Sequence, residues 1–546
     1  MTPSVAGQVV DALARAGTTH VFGVVGTTTL PFLDALHDRT DVQYVSVRHE
    51  QVGASAADGY ARMTRRPGVV LVQGGSGVTN LLLSVCIAWK DRVPLLILSG
   101  LQPQAKLGRD SWQEIDAVPI FQSVTKWAYR ITRPDEVPWA LRRALITAIS
   151  GRPGPVLLEI PRDVSTRPAS GEVELGGGPI GTPWSRPSPR PADVRAIAGA
   201  LRQAKRPLLL LGGGVLWSGA VTAARALVEA TGWPVIATDT SRGVVPEDHP
   251  ACLGFPGRMG DKTADAALRD ADCVLAVGAR FTDVTTSDWS LPPPAATVFQ
   301  VNIDAGALGR ERPVALGVEA DATRFLEDLT EGLTGDPPKN GGWGRERHAD
   351  FAAERRSFLD ESPNALSPEA LLAGLSRHLC RDALLTVGAG THTRYFNKLL
   401  VREAPGSLHS AGLGSMCFAF PAALGAKLVA PSRQVVCLIG DGDFGMVMQD
   451  LETVARLGLQ LATVVYNNGA YGQKVIQHKD YGGRYVGVDF TNPDFGAYAR
   501  LFGLTGAHVA RGAELAPALE TVFSAKTSAV LDVELDPLAL PKGMEL

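Results

Sequence analysis

Residues 434–472 read QVVCLIGDGDFGMVMQDLETVARLGLQLATVVYNNGAYG, and this stretch decides the fold. Positions 434–439 are apolar and rich in valine, which predicts a buried parallel strand. The run breaks at Gly440-Asp441-Gly442. Over 444–457 the apolar residues Met446, Leu451, Val454, Ala455 and Leu457 fall near helical spacing, with Gly458 as a stop, and predict a helix. A second strand, 461–466, ends at Asn467-Asn468. Strand, helix and strand of this length form a right-handed crossover between parallel neighbours. Asp441 and Asn468 therefore emerge at the carboxyl ends of strands, where open α/β sheets bind ligands.

A carboxylate, an amide oxygen and a nearby backbone carbonyl are hard ligands suited to Mg²⁺ or Ca²⁺, and Mg²⁺ usually completes its shell with phosphate and water. Free N–H groups at the start of the following helix would face the same anion. The competing reading is a plain Gly-Asp-Gly turn beside an unrelated Asn-Asn loop. Residue pattern alone leaves the two even. No Gly-Lys-Ser/Thr follows a glycine-rich loop, which argues against a Walker-type nucleotide site.

Upstream, the same alternation repeats. A helix over 8–16 and a strand over 20–25 lead to Gly26-Thr27-Thr28-Thr29. A strand over 42–47 precedes Arg48-His49-Glu50, and one over 69–72 runs into Gly74-Gly75-Ser76-Gly77-Val78-Thr79-Asn80. A further buried strand is expected over 95–98. This is the pattern of a doubly wound parallel sheet. The glycine loop does not have GxGxxG spacing, so no dinucleotide site is assigned to it. Residues 167–192 are dense in Gly, Pro and Ser and read as a linker. A second α/β segment carries strands near 208–211, 235–237, 273–277 and 298–301. Another break over 335–344 and a charged helix over 345–359 precede the third segment, in which a strand is expected over 384–387. The expected domains are thus 1–166, 193–333 and 367–546, each a doubly wound parallel α/β sheet.

The 546-residue length exceeds one hydrophobic core. With 45% apolar and 20% charged residues, the composition is that of a globular protein. A net charge of −3 gives no general attraction to nucleic acid or anionic membrane. Six scattered cysteines without a CxxC pair suit a reducing compartment. No apolar run approaches the ~20 residues of a membrane span, and no basic-then-apolar leader opens the chain, so a cytoplasmic location is expected.

Gly440-Asp441-Gly442 followed by Asn467-Asn468 resembles the cofactor motif of thiamine-diphosphate-dependent enzymes. Further blocks extend the resemblance over nearly the whole chain: RHEQVGASAADGYAR, GSGVTNLL, PVIATDTSRGVVPEDHP, VGARFTD and GLGSMCFAFPAALGAK. Their order is that of the pyrimidine-binding, central and diphosphate-binding domains of the acetolactate-synthase-like (benzaldehyde-lyase/carboligase) branch. By that resemblance Asp441, the Asn468 side chain and the Ala470 carbonyl hold Mg²⁺ against the diphosphate of thiamine diphosphate. Gly440, Gly442, Asp443, Tyr471 and Gly472 line the same segment. Asp443 departs from the small residue usual there and is expected to cap the helix and point away.

The resemblance makes Glu50 the carboxylate that activates the cofactor's aminopyrimidine, with Asn80 also at the cofactor and His49 a weaker candidate for moving protons. Gly414, Ser415 and Met416 would grip the aminopyrimidine, Met416 enforcing its bent shape. Gly390, Thr391 and His392 stand at the diphosphate, although Gly388 and Thr391 depart from the family pattern. Gln113 matches a glutamine that faces substrate, and Gly26, Thr27, Gln473, Ile476 and Gln477 complete the expected pocket. Polar Lys474 and His478 either favour an anionic acceptor or form a solvated helix face. The run after Arg280 only partly matches a flavin-binding segment, so FAD is supported only in part.

The implied activity is decarboxylation of a pyruvate-like 2-oxo acid and transfer of the acyl carbanion to a second carbonyl. The alternatives are a simple 2-oxo acid decarboxylase or aldehyde lyase, a flavin-containing oxidase, and a non-catalytic cofactor-binding paralogue. The resemblance further implies a homodimer, or a homotetramer built from two, with each site completed by Glu50 of one copy and Asp441 of another.

Overall fold

The computed structural model describes residues 3–175, 186–333, 340, 342–362 and 364–540. Parts of the expected linker (176–185) and of the second break (334–339, 341) lie outside them. Three parallel sheets carry the fold, as the alternation predicts.

The first sheet contains β1 (His20–Gly23), β2 (Gln43–Ser46), β3 (Gly68–Gln73), β4 (Leu95–Leu101), β5 (Trp127–Arg130) and β6 (Val156–Pro161), in the order β2-β1-β3-β4-β6-β5. The second contains β7 (Pro207–Leu211), β8 (Val235–Ala237), β9 (Cys273–Val277), β10 (Thr297–Asn302) and β11 (Leu316–Glu319), in the order β11-β10-β9-β7-β8. The third contains β12 (Leu384–Val387), β13 (Ser407–His409), β14 (Val435–Gly440), β15 (Ala462–Asn467), β16 (Thr505–Val509) and β17 (Ala529–Glu534), in the order β13-β12-β14-β15-β17-β16. All named strand pairings are parallel.

Helices cover both faces of each sheet, which is why the strands read as unbroken apolar runs rather than alternating ones. In β7 the alternation is spatial. Leu209 and Leu211 enter one buried cluster, and Leu208 and Leu210 enter the other. The strands that apolar pattern does not announce have physical reasons for their silence. Edge strands β5 and β11 are only partly buried. Central β6 and β17 each carry a wholly buried carboxylate, Glu159 and Asp532. Arg130 pairs with Glu159 at 2.9 Å. The helix expected over 444–457 is broken into a helix Asp441–Phe444, a 3₁₀ turn Met448–Asp450 and a helix Leu451–Arg456. Val447 leaves the helical region at φ −133°.

The chain divides into two compact units. One comprises the described parts of Met1–Trp184 with Ser410–Pro431 and Met446–Gln460; the other comprises the described parts of Ser185–His409, Ser432–Gly445 and Leu461–Leu546. In the first unit, helix Glu50–Thr64 crosses helix Ala419–Val429 at backbone contact. A Cβ on Gly59 would stand 2.3 Å from the Ala422 carbonyl oxygen, and one on Gly425 1.9 Å from that of Ala56. Two glycines let the helices close, and this crossing ties segment 410–431 to the first sheet. Segment 446–460 is tied to it by Asp450, whose Oδ1 accepts from the Arg48 N–H at 2.9 Å.

Candidate active site

Each sheet reverses its strand order beside its first strand, and ligands of open α/β sheets bind at such switch points. In the first sheet the reversal lies between β1 and β3, so Gly26-Thr27 and the loop Gly74–Asn80 stand side by side there. In the third it lies between β12 and β14, which brings Gly388–His392 beside Gly440–Asp443.

In the first unit, Glu50 is the first residue of its helix, capped by His49, whose Nδ1 accepts from the Gln51 N–H at 3.2 Å. That bond gives His49 a structural task. Glu50 is half-buried, and its Oε2 accepts from Asn80 Nδ2 at 2.9 Å. Its Oε1 lies 3.3 Å from where a Cβ of Gly77 would stand. Gln113 adopts the left-handed region at φ 63°. Its backbone packs on Gly75, where a Cβ would meet the Gln113 carbonyl oxygen at 2.2 Å. Gln73 Nε2 donates to Gln113 Oε1, and the Gln73 side-chain Oε1 lies 2.2 Å from a Cβ built on Gly26. The expected pocket residues Gly26 and Gln113 are thus joined through Gln73, which no motif singles out.

Segment 410–416 belongs to the same unit. Asp91 accepts from the N–H groups of Ala411 at 3.1 Å and Gly412 at 2.6 Å, and from Arg62 Nη2 at 2.9 Å. Gly414 stands in the left-handed region at φ 64°, in open space. Ser415 is held by Ser410: its N–H donates to Ser410 Oγ at 3.1 Å. Ser415 and Met416 are half-buried.

In the second unit, Asp441 is 3% exposed at the end of β14. Its Oδ2 accepts from the N–H groups of Asn468 at 3.0 Å and Gly469 at 2.7 Å and from Asn492 Nδ2 at 2.8 Å; its Oδ1 accepts from the Gly442 N–H at 2.8 Å. Burial pushes this carboxyl above its ordinary value, against the pull of these donors. Asn468 Oδ1 has a contact with the Ala470 N–H at 3.3 Å. Asp441 and Asn468 are therefore together, as the crossover predicts. Ala470 is buried, and Tyr471 and Gly472 follow it, with a Cβ on Gly472 coming 2.9 Å from Thr391 Cγ2.

His392 is 4% exposed, and its ring lies where a Cβ on Gly390 or Gly440 would come within 2.7 Å. Among the described residues Nε2 has no hydrogen-bond partner of ordinary geometry, and burial pushes the imidazole down to about 4, against the pull of the Gly388 backbone. It is a neutral, buried imidazole. Asp443 corrects its expectation. It does not cap its helix: it is 2% exposed, and its Oδ2 accepts from the Ala389 N–H at 3.2 Å, holding the β12 loop against the β14 loop.

The flank after Gly472 is a helix, Gln473–Asp480. Gln473 and Ile476 are exposed. Gln477 brackets Val486, donating to its carbonyl at 3.1 Å and accepting from its N–H at 2.8 Å. Lys474 pairs with Asp489 at 2.5 Å over the Tyr485 ring, and His478 shares a 2.6 Å hydrogen bond with the Tyr485 hydroxyl. These polar groups are satisfied among themselves, as in a solvated helix face.

Family models match the chain three times. They are the thiamine pyrophosphate enzyme N-terminal TPP binding domain over residues 3–120, the central domain over 194–329, and the C-terminal TPP binding domain over 388–533. The chain belongs to the thiamine pyrophosphate enzyme family. It is similar to the probable acetolactate synthase large subunit of Methanocaldococcus jannaschii, with 32% identity over 98% of this chain and 93% of that protein. It is also similar to the acetolactate synthase isozyme 2 large subunit of Escherichia coli, with 33% identity over 97% and 95%. A third relative is the acetolactate synthase large subunit of Corynebacterium glutamicum, with 34% identity over 94% and 84%.

The groups of this thiamine pyrophosphate enzyme fit a metal-bound diphosphate. Asp441 Oδ1 and Asn468 Oδ1 are hard oxygen donors that the protein leaves lightly engaged, and His392 carries an orphaned nitrogen beside the glycines of two strand ends. Among the described residues no helix is long and apolar enough to cross a membrane.

Proposed function

We propose that this chain is an acetolactate-synthase-like carboligase, which decarboxylates a pyruvate-like 2-oxo acid and joins its acyl unit to a second carbonyl compound. The observation that carries the reading is the Glu50–Asn80 hydrogen bond at the first switch point, with Gln113 on the neighbouring loop. A carboxylate held at a cofactor ring can exchange a proton with it, and a glutamine amide beside it can orient substrate oxygens. Thiamine diphosphate, when bound, supplies the electron sink for the acyl carbanion. Glu50 holds and returns the ring proton, and Asn80 keeps the Glu50 carboxylate in place. Gly414 and Met416 shape the ring site. Asp441, Asn468 and the Ala470 carbonyl hold Mg²⁺, while His392 donates to the diphosphate.

Decarboxylation followed by carboligation is redox-neutral, so this reading requires no FAD as a reactant; the visible spectrum of the purified protein checks this. It further takes the domains as 1–166, 193–333 and 367–546, and the enzyme as cytoplasmic. Assembly is read as a homotetramer of two-fold dimers, in which Glu50 of one copy meets the cofactor held by Asp441 of its partner. Product analysis with pyruvate and a panel of carbonyl acceptors tests the reaction. A carbon–carbon coupled product is expected, and release of aldehyde alone would replace the reading with a simple decarboxylase. Mixing inactive Glu50→Gln and Asp441→Ala chains tests the shared site, since hybrids contain one wholly native site. Activity is expected to return, and verified subunit exchange without activity would overturn it.

A further inference from the structure

The two oxygens of Asp441 are engaged unequally. Asp441 Oδ2 is occupied three times, by two backbone N–H groups and by Asn492 Nδ2 at 2.8 Å, whereas among the described residues Oδ1 meets only the Gly442 N–H. Asn492 Nδ2 also donates to Asn467 Oδ1 at 2.9 Å. Asn467 Nδ2 in turn donates to Asp532 Oδ1 at 2.9 Å. Asp532 is wholly buried, and its Oδ2 accepts from the Phe495 N–H and from His508 Nδ1, each at 3.0 Å.

The polarity of this chain is determined at both ends. An ionised carboxylate only accepts, so Asn467 must turn its NH₂ to Asp532 and its oxygen to Asn492. Asn492 must then turn its NH₂ toward Asn467, and the same nitrogen carries the second N–H that reaches Asp441. A flipped amide at either asparagine would set oxygen against oxygen. Asp494, His508 and Asp532 bring ligand-type atoms within 4.8 Å of one another, but both Asp532 oxygens already accept from the protein, and this group serves as the anchor of the chain.

We propose that Asn492 is the positioning residue of the metal ligand: aimed by Asn467 and anchored at Asp532, it retains Asp441 Oδ2 within the protein and leaves Oδ1 to bind a divalent cation. The inference rests on the reading that Asp441 holds the cation. Groups that orient a ligating carboxylate commonly change metal affinity by about 10–100-fold when removed.

The test is calorimetric titration of Mg²⁺ into the metal-free full chain with thiamine diphosphate present, with the melting temperature of the metal-free protein as a control. Asn492→Leu keeps the volume and removes the donor. It is expected to weaken Mg²⁺ binding by about 10–100-fold while leaving the metal-free melting temperature within a few degrees of wild type. Asn467→Ala removes no ligand side chain, so it is expected to weaken binding less, and the double variant is expected to bind as Asn492→Leu does, because the Asn467 side chain acts through Asn492. If Asn492→Leu does not fold, Asn467→Ala alone decides: weakened Mg²⁺ binding supports the proposal and unchanged binding overturns it. Asp441→Ala separates the two levels. If it loses Mg²⁺ while Asn492→Leu binds normally, the positioning role is overturned and the metal reading stands. If Asp441→Ala binds normally, both fall.

Discussion

Asn80 Nδ2 donates to Glu50 Oε2 at 2.9 Å, linking the glycine loop after β3 to the first residue of helix Glu50–Thr64 across 30 positions of sequence. One carboxylate oxygen is thereby held, and the other stays beside Gly77. Glu50→Gln preserves the shape and can still accept from Asn80, but an amide cannot hold the ring proton. Turnover with pyruvate is expected to fall by about 10²–10⁴-fold with an unchanged circular dichroism spectrum. A near-normal rate would remove Glu50 from the chemistry.

The crossing of helices Glu50–Thr64 and Ala419–Val429 has no room for one more methyl group. Gly425→Ala would set a Cβ 1.9 Å from the Ala56 carbonyl oxygen, backbone that cannot swing aside. A loss of about 1–3 kcal/mol in urea unfolding is expected, as for other overpacked sites. Gly232→Ala is no equal control, since its left-handed φ of 64° adds strain of its own; Gly199→Ala, with open space at its Cβ, should be near neutral.

Lys398 is buried against Asp261 at 3.0 Å, and Arg355 holds the other Asp261 oxygen at 2.8 Å. Burial works to raise the Asp261 carboxyl, but the two cations outweigh it and hold it below the ordinary value. Lys398→Met keeps the stem and removes one partner of a buried carboxylate. Equilibrium unfolding should show a loss of about 3–5 kcal/mol. A change under 1 kcal/mol would mean that Arg355 alone satisfies Asp261.

His392 gives the fold a pH dependence of known sign. Its folded value is near 4 and its unfolded value 6.5, so the unfolded chain takes up the proton first as pH falls. The contribution is complete above pH 6.5 and is lost progressively towards pH 4, about 3 kcal/mol over that window. In metal- and cofactor-free protein, the melting temperature of wild type should fall more steeply between pH 6.5 and 4 than that of His392→Gln. Parallel curves would show that the imidazole is not buried neutral.

Local pattern determined a great deal here. Apolar runs bounded by glycine predicted β12, β14 and β15 within a residue or two, because a strand covered on both faces must be apolar throughout. The order of those runs then sent Asp441 and Asn468 to the same sheet edge. Sequence was silent where burial is offset by a partner far along the chain. Strand β17 hides behind Asp532, which is acceptable only because Asn467, Phe495 and His508 donate to it. Asn492 lies 51 residues beyond Asp441, in a segment without motif, and only the folding of β15 and β17 side by side brings the two together. Asp443 shows the same division: charge next to an anion site suggested a residue turned outward, yet the strand order sets the Ala389 N–H against it. Periodicity reports which face of an element is apolar, but a hydrogen bond between distant elements depends on their packing, and that belongs to the tertiary structure alone.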